Sequence, residues 1–207
     1  MAYRVCWKFT NLPKEIANII DLDLMENFGH TMQTSTVSSK NKENKELRDS
    51  QNAWIPHEHW CAGFVWHYVQ MLNKENFLYD IDCIDNGNLQ YTQYTEGQYY
   101  DWHYDETIEN GTAAVPVQVK GDEFVNRHLT IVGERPRKLS FVVQLSDPDD
   151  YEGGNLLFMG DNNNEIVAPR HQGSVIVFDS RTKHKACEVT KGVRRSLVGW
   201  VNGPRWR

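Results

Sequence analysis

Residues 94–105 read Tyr-Thr-Glu-Gly-Gln-Tyr-Tyr-Asp-Trp-His-Tyr-Asp, and this stretch says more about the chain than any other. His103 and Asp105 lie two residues apart, so on an extended strand both side chains project from the same face. An imidazole nitrogen and a carboxylate oxygen on one face can bind the same metal ion. The stretch therefore predicts a strand that ends in a metal site.

His184 is the best-placed third ligand, because it directly follows a predicted buried strand at 173–180. Two histidines and one carboxylate form the facial triad of non-haem Fe(II) oxygenases, which leaves three coordination positions open. We refer to His103, Asp105 and His184 as the triad. The sequence thus predicts a mononuclear iron site with room for further ligands.

Arg194 is the candidate residue for binding an organic co-substrate. It begins a second predicted strand ten residues after His184, and Ser196 lies on the same face of that strand. A guanidinium binds a carboxylate through two parallel hydrogen bonds and stays charged at all working pH values. Arg194 is therefore predicted to anchor a dicarboxylate.

The other histidines are predicted to have structural or surface roles. The segment His57-Glu58-His59 is rich in ligand types, but it lacks the His-Glu-x-x-His spacing of zinc peptidases and precedes a predicted helix. His67 is predicted to lie on the apolar side of that helix as a core histidine with its hydrogen bonds satisfied. The histidines predicted to face solvent are His30, His128 and His171.

From about residue 89 onward the sequence has the patterns of strands. Over 139–146, Leu, Phe, Val and Leu alternate with Ser, Val, Gln and Ser, which is the period of a strand with one face more buried. Turn sequences separate this strand from other extended segments. Several short strands with turns between them favour an antiparallel sandwich or barrel over alternating strands and helices.

Two helices are predicted before the strands, one beginning at Pro13 and one following Pro56, each with apolar residues at helical spacing. Residues 34–52 are polar without a sustained period and are predicted to form a mobile loop. Residues 106–138 form a long connection of the kind that often serves as a functional lid. The predicted fold class is mostly β with N-terminal helices.

The length of 207 residues suits one domain with a sizeable core. We predict a single domain over 1–207, with 1–88 as a helical support and 89–207 as the catalytic core. Four scattered cysteines without C-x-x-C spacing fit a reducing cytoplasm. The sequence shows neither a leader pattern nor an apolar run of about 20 residues, so secretion and membrane insertion are not expected. The formal net charge of -6 argues against a broad nucleic-acid surface.

Four motifs follow one another in the second half of the chain. Tyr-x-x-Gly-x-x-Tyr-x-x-His-x-Asp begins at Tyr94, and Tyr-x-Gly-Gly-x-Leu-x-Phe begins at Tyr151. A Gly-x-x-Val-x-Phe strand begins at Gly173, with Ile176 in place of valine, and Val-Thr-x-Gly-x-Arg ends at Arg194. Together they resemble the 2-oxoglutarate and Fe(II)-dependent dioxygenases, in the prolyl 4-hydroxylase-like branch. The arginine, in place of the lysine of animal enzymes, resembles bacterial and phage-encoded members.

This resemblance implies a double-stranded β-helix, also called a distorted jelly roll, with the triad binding Fe(II) at its open end. It also implies that Arg194 pairs with the distal carboxylate of 2-oxoglutarate, with Tyr94 and Ser196 as hydrogen-bonding neighbours. Tyr100 and Trp102, beside the triad, are candidates for shaping the pocket. Ascorbate is a further cofactor that the resemblance brings into consideration. A phage-encoded member would act in the host cytoplasm.

The implied activity is hydroxylation of a C–H bond, on a prolyl or other amino-acid side chain of a peptide or protein or on a small molecule, with succinate and CO2 as co-products. An AlkB-like nucleic-acid demethylase shares the triad and an Arg-x-Ser strand start, but it has a second arginine where this chain has Trp200. A non-catalytic jelly-roll module is a third reading, which the intact co-substrate residues disfavour. The substrate and the oligomeric state stay open, as does which of 34–52 and 106–138 closes over the site.

Overall fold

The structure is a computed structural model that describes residues 7–35, 45–85, 88–105 and 136–204. Within these ranges two α-helices and fifteen strands follow one another along the chain. Their order and bounds are β1 (Trp7–Asn11), α1 (Lys14–Phe28), β2 (Gln33–Thr34), β3 (Arg48–Asp49), β4 (Gln51–Pro56), α2 (Trp60–Leu72), β5 (Cys83–Ile84), β6 (Asn88–Tyr94), β7 (Tyr99–His103), β8 (Arg137–Gln144), β9 (Tyr151–Gly153), β10 (Leu156–Met159), β11 (Glu165–Val167), β12 (Ser174–Asp179), β13 (His184–Ala186), β14 (Val189–Gly192) and β15 (Arg194–Asn202).

The strands pair antiparallel in a larger and a smaller sheet. The larger sheet has the order β1-β12-β8-β15-β6-β4-β2, with β5 paired to β15. The smaller sheet has the order β11-β10-β13-β7-β3, and β9 pairs separately with β14. Both sheets mix strands distant in sequence, as in a jelly roll rather than a series of hairpins. The predicted fold class, mostly β with N-terminal helices, is confirmed.

Both predicted helices form, and they cover one face of the larger sheet. Helix α1 begins directly after Pro13, whose fixed backbone suits a helix start. Its buried Ile20 and Leu24 join Val65 and Val69 of α2 in one apolar cluster with the sheet. The helices therefore form the outer support on which the larger sheet rests.

Strand β8 differs from the prediction that one of its faces is more buried, because both of its faces are buried. Leu139, Phe141 and Val143 pack under the helices, whereas Val142 packs against the smaller sheet. A strand covered on both sides carries no exposed face for polar residues. The polar members of this strand therefore point into the space between the sheets, where the site lies.

The prediction of a mobile loop over 34–52 is wrong for its last five residues, which belong to β3, β4 and the residue between them. Arg48, Ser50 and Asn52 are buried there despite being polar. Their side chains are held by hydrogen bonds such as Arg48 Nε to Ser50 Oγ at 2.9 Å. A strand built on buried polar residues lacks the apolar pattern that sequence reasoning looks for.

The long connection predicted over 106–138 lies outside the described residues up to 135, and residues 137 and 138 already belong to β8. Its predicted role as a lid stays a prediction. In the part of the chain that the structure describes, neither helix is long and apolar enough to cross a bilayer.

Candidate metal centre and co-substrate pocket

The triad comes together because β7 and β13 are paired neighbours in the smaller sheet. His103 and His184 are direct register partners, with ring centroids 4.1 Å apart. Asp105 follows two residues later, and its backbone N–H donates to the carbonyl of Ser180 at 3.1 Å. One ligand atom from each residue lies within 4.8 Å of the others. The structure thus assembles the three residues that the sequence predicted as ligands.

Both imidazoles are oriented by backbone carbonyls. Nδ1 of His103 lies 2.7 Å from the carbonyl oxygen of Asp101, and Nδ1 of His184 lies 2.9 Å from that of Thr182. A carbonyl only accepts, so each Nδ1 carries the hydrogen and each Nε2 keeps its lone pair for a metal. The two Nε2 atoms lie 3.8 and 3.5 Å from the two carboxylate oxygens of Asp105. All three donor groups converge on one point.

Electrostatics favour the protonation states that bind a metal. Burial, followed by the neighbouring His184, lowers the pKa of His103 to about 4. Burial alone raises the pKa of Asp105, but the two histidines and a hydrogen bond from Ser140 outweigh it and lower that pKa. The neutral imidazole and the carboxylate are both metal-binding forms. This donor set fits Fe(II) and leaves coordination positions free.

The metal-free protein is expected to lose stability as the pH falls from 6.5 to about 4. The folded-state pKa of His103 lies below the ordinary histidine value of 6.5, so over this window the unfolded chain binds the proton first. The free energy of unfolding is expected to fall by about 3 kcal/mol once His103 is fully protonated in the unfolded chain. Urea unfolding of the metal-free protein across that window measures it. His103→Gln should have a shallower pH slope, and an unchanged slope would contradict the assignment.

A register shift in the pairing of β7 with β13 brings Tyr100 into the same space as His103. Their rings stack with centroids 3.5 Å apart and an interplanar angle of 10°. The ring of Trp102 instead lies under the ammonium group of Lys185, 4.7 Å away. Lys185 neighbours His184 in the strand and so points to the opposite face. Tyr100 therefore forms a wall of the pocket, whereas the prediction that Trp102 does so is wrong.

Arg194 is buried, with 2% of its surface exposed, and begins β15 beside its register partner Tyr94. Its guanidinium carbon lies 5.5 Å from the centroid of the Tyr94 ring, and Nη2 donates to Oε1 of Gln144 at 3.0 Å. Its Nε is enclosed and has no hydrogen-bond partner among the described residues. A buried charged donor without a partner is costly, so this arrangement suits an incoming carboxylate. The residues present therefore fit 2-oxoglutarate.

Ser196 is also buried, two residues along β15 on the same face as Arg194, and in register with Gln144. Sequence reasoning missed Gln144 and Ser140, which hydrogen-bond to Arg194 and Asp105 respectively. Both stand at the polar positions of the alternating segment 139–146. The alternation over 139–146 predicts these polar positions on the less buried face of a strand, so it does not identify them as residues of the site.

Gly154 leaves the space in which the Arg194 side chain lies. It has a φ of +61°, and a Cβ placed there would sit 3.1 Å from Cδ of Arg194 and 2.9 Å from Cγ2 of Val189. Gly154→Ala is expected to displace the arginine and to weaken 2-oxoglutarate binding about tenfold or more, because a misaligned guanidinium loses a charged hydrogen bond worth about 1.5–3 kcal/mol. Calorimetric titration with 2-oxoglutarate measures this. Gly63→Ala is the matched control, because a Cβ there meets nothing within 4 Å. Equal affinities in both variants would contradict this role.

The other described histidines lie away from the triad. Nε2 of His59 lies 2.9 Å from Oδ2 of Asp23, and His57 pairs with Glu58, so this segment has the predicted role at a helix start. The prediction of a core position for His67 is wrong, because the residue lies on the exposed face of α2. The described histidines that are exposed as predicted are His30 and His171, and His128 lies outside the described residues.

The fold and the site define a class: a jelly roll with two histidines, one aspartate and a buried arginine around a single pocket. A model of the 2OG-Fe(II) oxygenase superfamily matches residues 89–202, more than half of the chain. The chain therefore belongs to this family. Membership implies Fe(II) as the metal and 2-oxoglutarate as the co-substrate. The curated relatives and solved structures to which the chain is similar are described next.

A PKHD-type hydroxylase of Parvibaculum lavamentivorans is 32% identical over 110 residues, which are 53% of this chain and 39% of that protein. The chain thus matches about two fifths of the length of this curated relative. A Pseudomonas putida prolyl-4-hydroxylase structure superposes with a TM-score of 0.67 at 16% identity, covering 95% of this chain and 92% of that one. The viral collagen prolyl hydroxylase of Paramecium Bursaria Chlorella virus-1 gives 0.62 at 16% identity, covering 97% of each chain. These two likenesses confirm the double-stranded β-helix.

Proposed function

We propose that this protein is an Fe(II)- and 2-oxoglutarate-dependent hydroxylase of C–H bonds. Two observations together carry the proposal: the triad converges on one point, and the buried Arg194 has an Nε without a hydrogen-bond partner in the described part of the chain. A metal-binding module needs the triad alone, whereas the enclosed Arg194 serves a second, anionic molecule. The two histidines of the triad lie on β7 and β13 of the smaller sheet, and Arg194 lies on β15 of the larger sheet.

The residues divide the work between two ends of the pocket. His103, Asp105 and His184 would hold the iron, and their hydrogen bonds to the backbone fix the direction of each ligand atom. Arg194 would bind the distal carboxylate of 2-oxoglutarate, with Tyr94 and Ser196 beside it. When bound, iron, 2-oxoglutarate and dioxygen supply the oxidising power for hydroxylation, and succinate and CO2 are the co-products.

For the substrate we propose a prolyl or other amino-acid side chain, in a peptide, a protein or a small molecule. Relatives described as PKHD-type and prolyl hydroxylases support this proposal. A demethylase of nucleic acids is less well supported, because Trp200 stands where such enzymes place an arginine. The guanidinium carbon of Arg137 lies 4.3 Å from the centroid of the Trp200 ring. Cys61 and Cys187 form no disulfide with the described residues, which supports the cytoplasmic location that we propose.

The test is release of succinate from 2-oxoglutarate by the protein loaded with Fe(II), with and without candidate substrates. Proline-containing peptides and free amino acids are then examined by mass spectrometry for addition of one oxygen atom, and alkylated DNA for loss of a methyl group. Succinate together with an oxygenated amino acid supports the proposal. Demethylated DNA would replace it with the demethylase reading, and the absence of both iron binding and succinate would overturn it.

A further inference from the structure

Arg48 is a second buried arginine beside the triad, and the proposed function does not use it. It lies on β3 opposite Tyr100 of β7, and 6% of its surface is exposed. Its guanidinium carbon lies 4.7 Å from the centroid of the Tyr100 ring. The ring of Tyr100 in turn stacks on His103. The charge of Arg48 is thus separated from a metal ligand by one aromatic side chain.

The hydrogen-bond partners of Arg48 in the described residues are neutral. Nε donates to Oγ of Ser50 and Nη2 donates to Oε1 of Gln90, both at 2.9 Å. No described carboxylate lies within salt-bridge distance of its guanidinium. Arg137 and Arg195, by contrast, are paired with Asp85 and Asp21. Because buried charges in proteins are normally paired, a counter-ion is expected beside Arg48, and the described residues do not supply one.

Arg48 and Arg194 contact different positions of the larger sheet. Arg48 contacts Gln90, whereas Arg194 stands opposite Tyr94, four residues further along β6. Four residues of extended strand span about 13 Å. The five carbons of 2-oxoglutarate span less than two extended residues, or about 7 Å. One 2-oxoglutarate is therefore shorter than the stretch of β6 between these two positions.

Charge balance among the described residues indicates that 2-oxoglutarate does not neutralise Arg48. A divalent iron, the carboxylate of Asp105, the guanidinium of Arg194 and doubly charged 2-oxoglutarate sum to zero. Arg48 then adds one positive charge in a buried site. A neutral substrate would leave that charge without compensation, whereas a substrate with one carboxylate would neutralise it.

We propose that Arg48 binds a carboxylate of the primary substrate, so that the enzyme acts on acidic molecules or acidic peptides. Its role as a substrate residue rests on the proposed function, but its ability to bind an anion does not. Nη1 makes no hydrogen bond to the described residues, and Nη2, which carries two N–H groups, makes one, to Gln90. These two groups form the edge that pairs with a carboxylate through parallel hydrogen bonds.

The test is a titration of the zinc-loaded protein, saturated with 2-oxoglutarate, in which the arginine side chains carry nitrogen-15. Acetate is the anionic probe, and acetamide is the neutral control of the same shape. Acetate is expected to shift the Nε–H signal of Arg48 with saturation in the millimolar range, and acetamide is expected to leave it in place. The Nε–H signal of Arg195, which Asp21 already pairs, is the internal control.

The Nε–H signal of Arg48 is the one that disappears in Arg48→Lys and Arg48→Gln. If neither variant folds, its proximity to the Tyr100 ring assigns it in the unaltered protein. No shift with acetate, or equal shifts with acetate and acetamide, would overturn the proposal. Free L-proline carries an α-carboxylate, and N-acetyl-aspartyl-prolinamide carries a side-chain carboxylate. The compound that shifts the signal at the lower concentration identifies the type of carboxylate that Arg48 binds. Because the titration needs no turnover, its failure and a failure to form succinate are separate results.

Discussion

His184→Ala is expected to abolish Fe(II)-dependent turnover of 2-oxoglutarate and to lower metal affinity by more than about 100-fold. Loss of a group that merely orients a ligand typically costs 10–100-fold, so loss of the ligand itself should cost more. His184 is buried and packs against Phe178, with no described histidine or carboxylate outside the triad placed to replace it. Metal titration under anaerobic conditions gives the affinity, and succinate release gives the turnover.

His171→Ala is the matched control for this prediction. His171 is exposed and lies in the turn before β12, outside the cluster of possible ligands. Its removal is expected to leave both metal affinity and turnover near those of the unaltered protein. The reverse pattern, with His171 essential and His184 dispensable, would reassign the third ligand.

Arg194→Ala is expected to weaken binding of 2-oxoglutarate while leaving metal affinity unchanged. Truncating one partner of a buried charge pair costs about 2–5 kcal/mol, which corresponds to roughly 30-fold to several thousand-fold in affinity. The variant also leaves Oε1 of Gln144 without the donor that it now has. Calorimetric titration of the zinc-loaded protein with 2-oxoglutarate measures the loss without interference from turnover.

Arg194→Lys separates the charge of this residue from its geometry. Lysine keeps the positive charge but offers a single point of contact, so partial binding is expected, weaker than with arginine and stronger than with alanine. Metal affinity should be equal in all three proteins. Loss of metal binding in Arg194→Ala, or unchanged affinity for 2-oxoglutarate, would show that this arginine supports the fold rather than the co-substrate.

The fold class and the triad could be predicted because they depend on short-range patterns. A His-x-Asp pair on a strand fixes its own geometry, and alternation of apolar residues identifies the strands on which the site is built. His184 and Arg194 follow because each stands at the start of a recognisable strand. The motifs from Tyr94 to Arg194 then added the family, which neither spacing nor composition alone specifies.

The missed parts depend on pairing between distant segments. Arg48 lies in a polar stretch that reads as a loop, and only its pairing with Tyr100 places it beside the triad. Ser140 and Gln144 were read as less buried because sequence alone does not show that a second sheet covers that face. His67 was misplaced because the apolar residues of α2 surround most of the helix, which makes its exposed face hard to locate.

The most direct test of the central claim is a crystal structure of the protein with Mn(II) and 2-oxoglutarate, grown without oxygen. The account predicts the metal on Nε2 of His103, Nε2 of His184 and the carboxylate of Asp105, with the distal carboxylate of 2-oxoglutarate on the guanidinium of Arg194. A metal held by other residues, or a 2-oxoglutarate that leaves Nε of Arg194 without a partner, would contradict it.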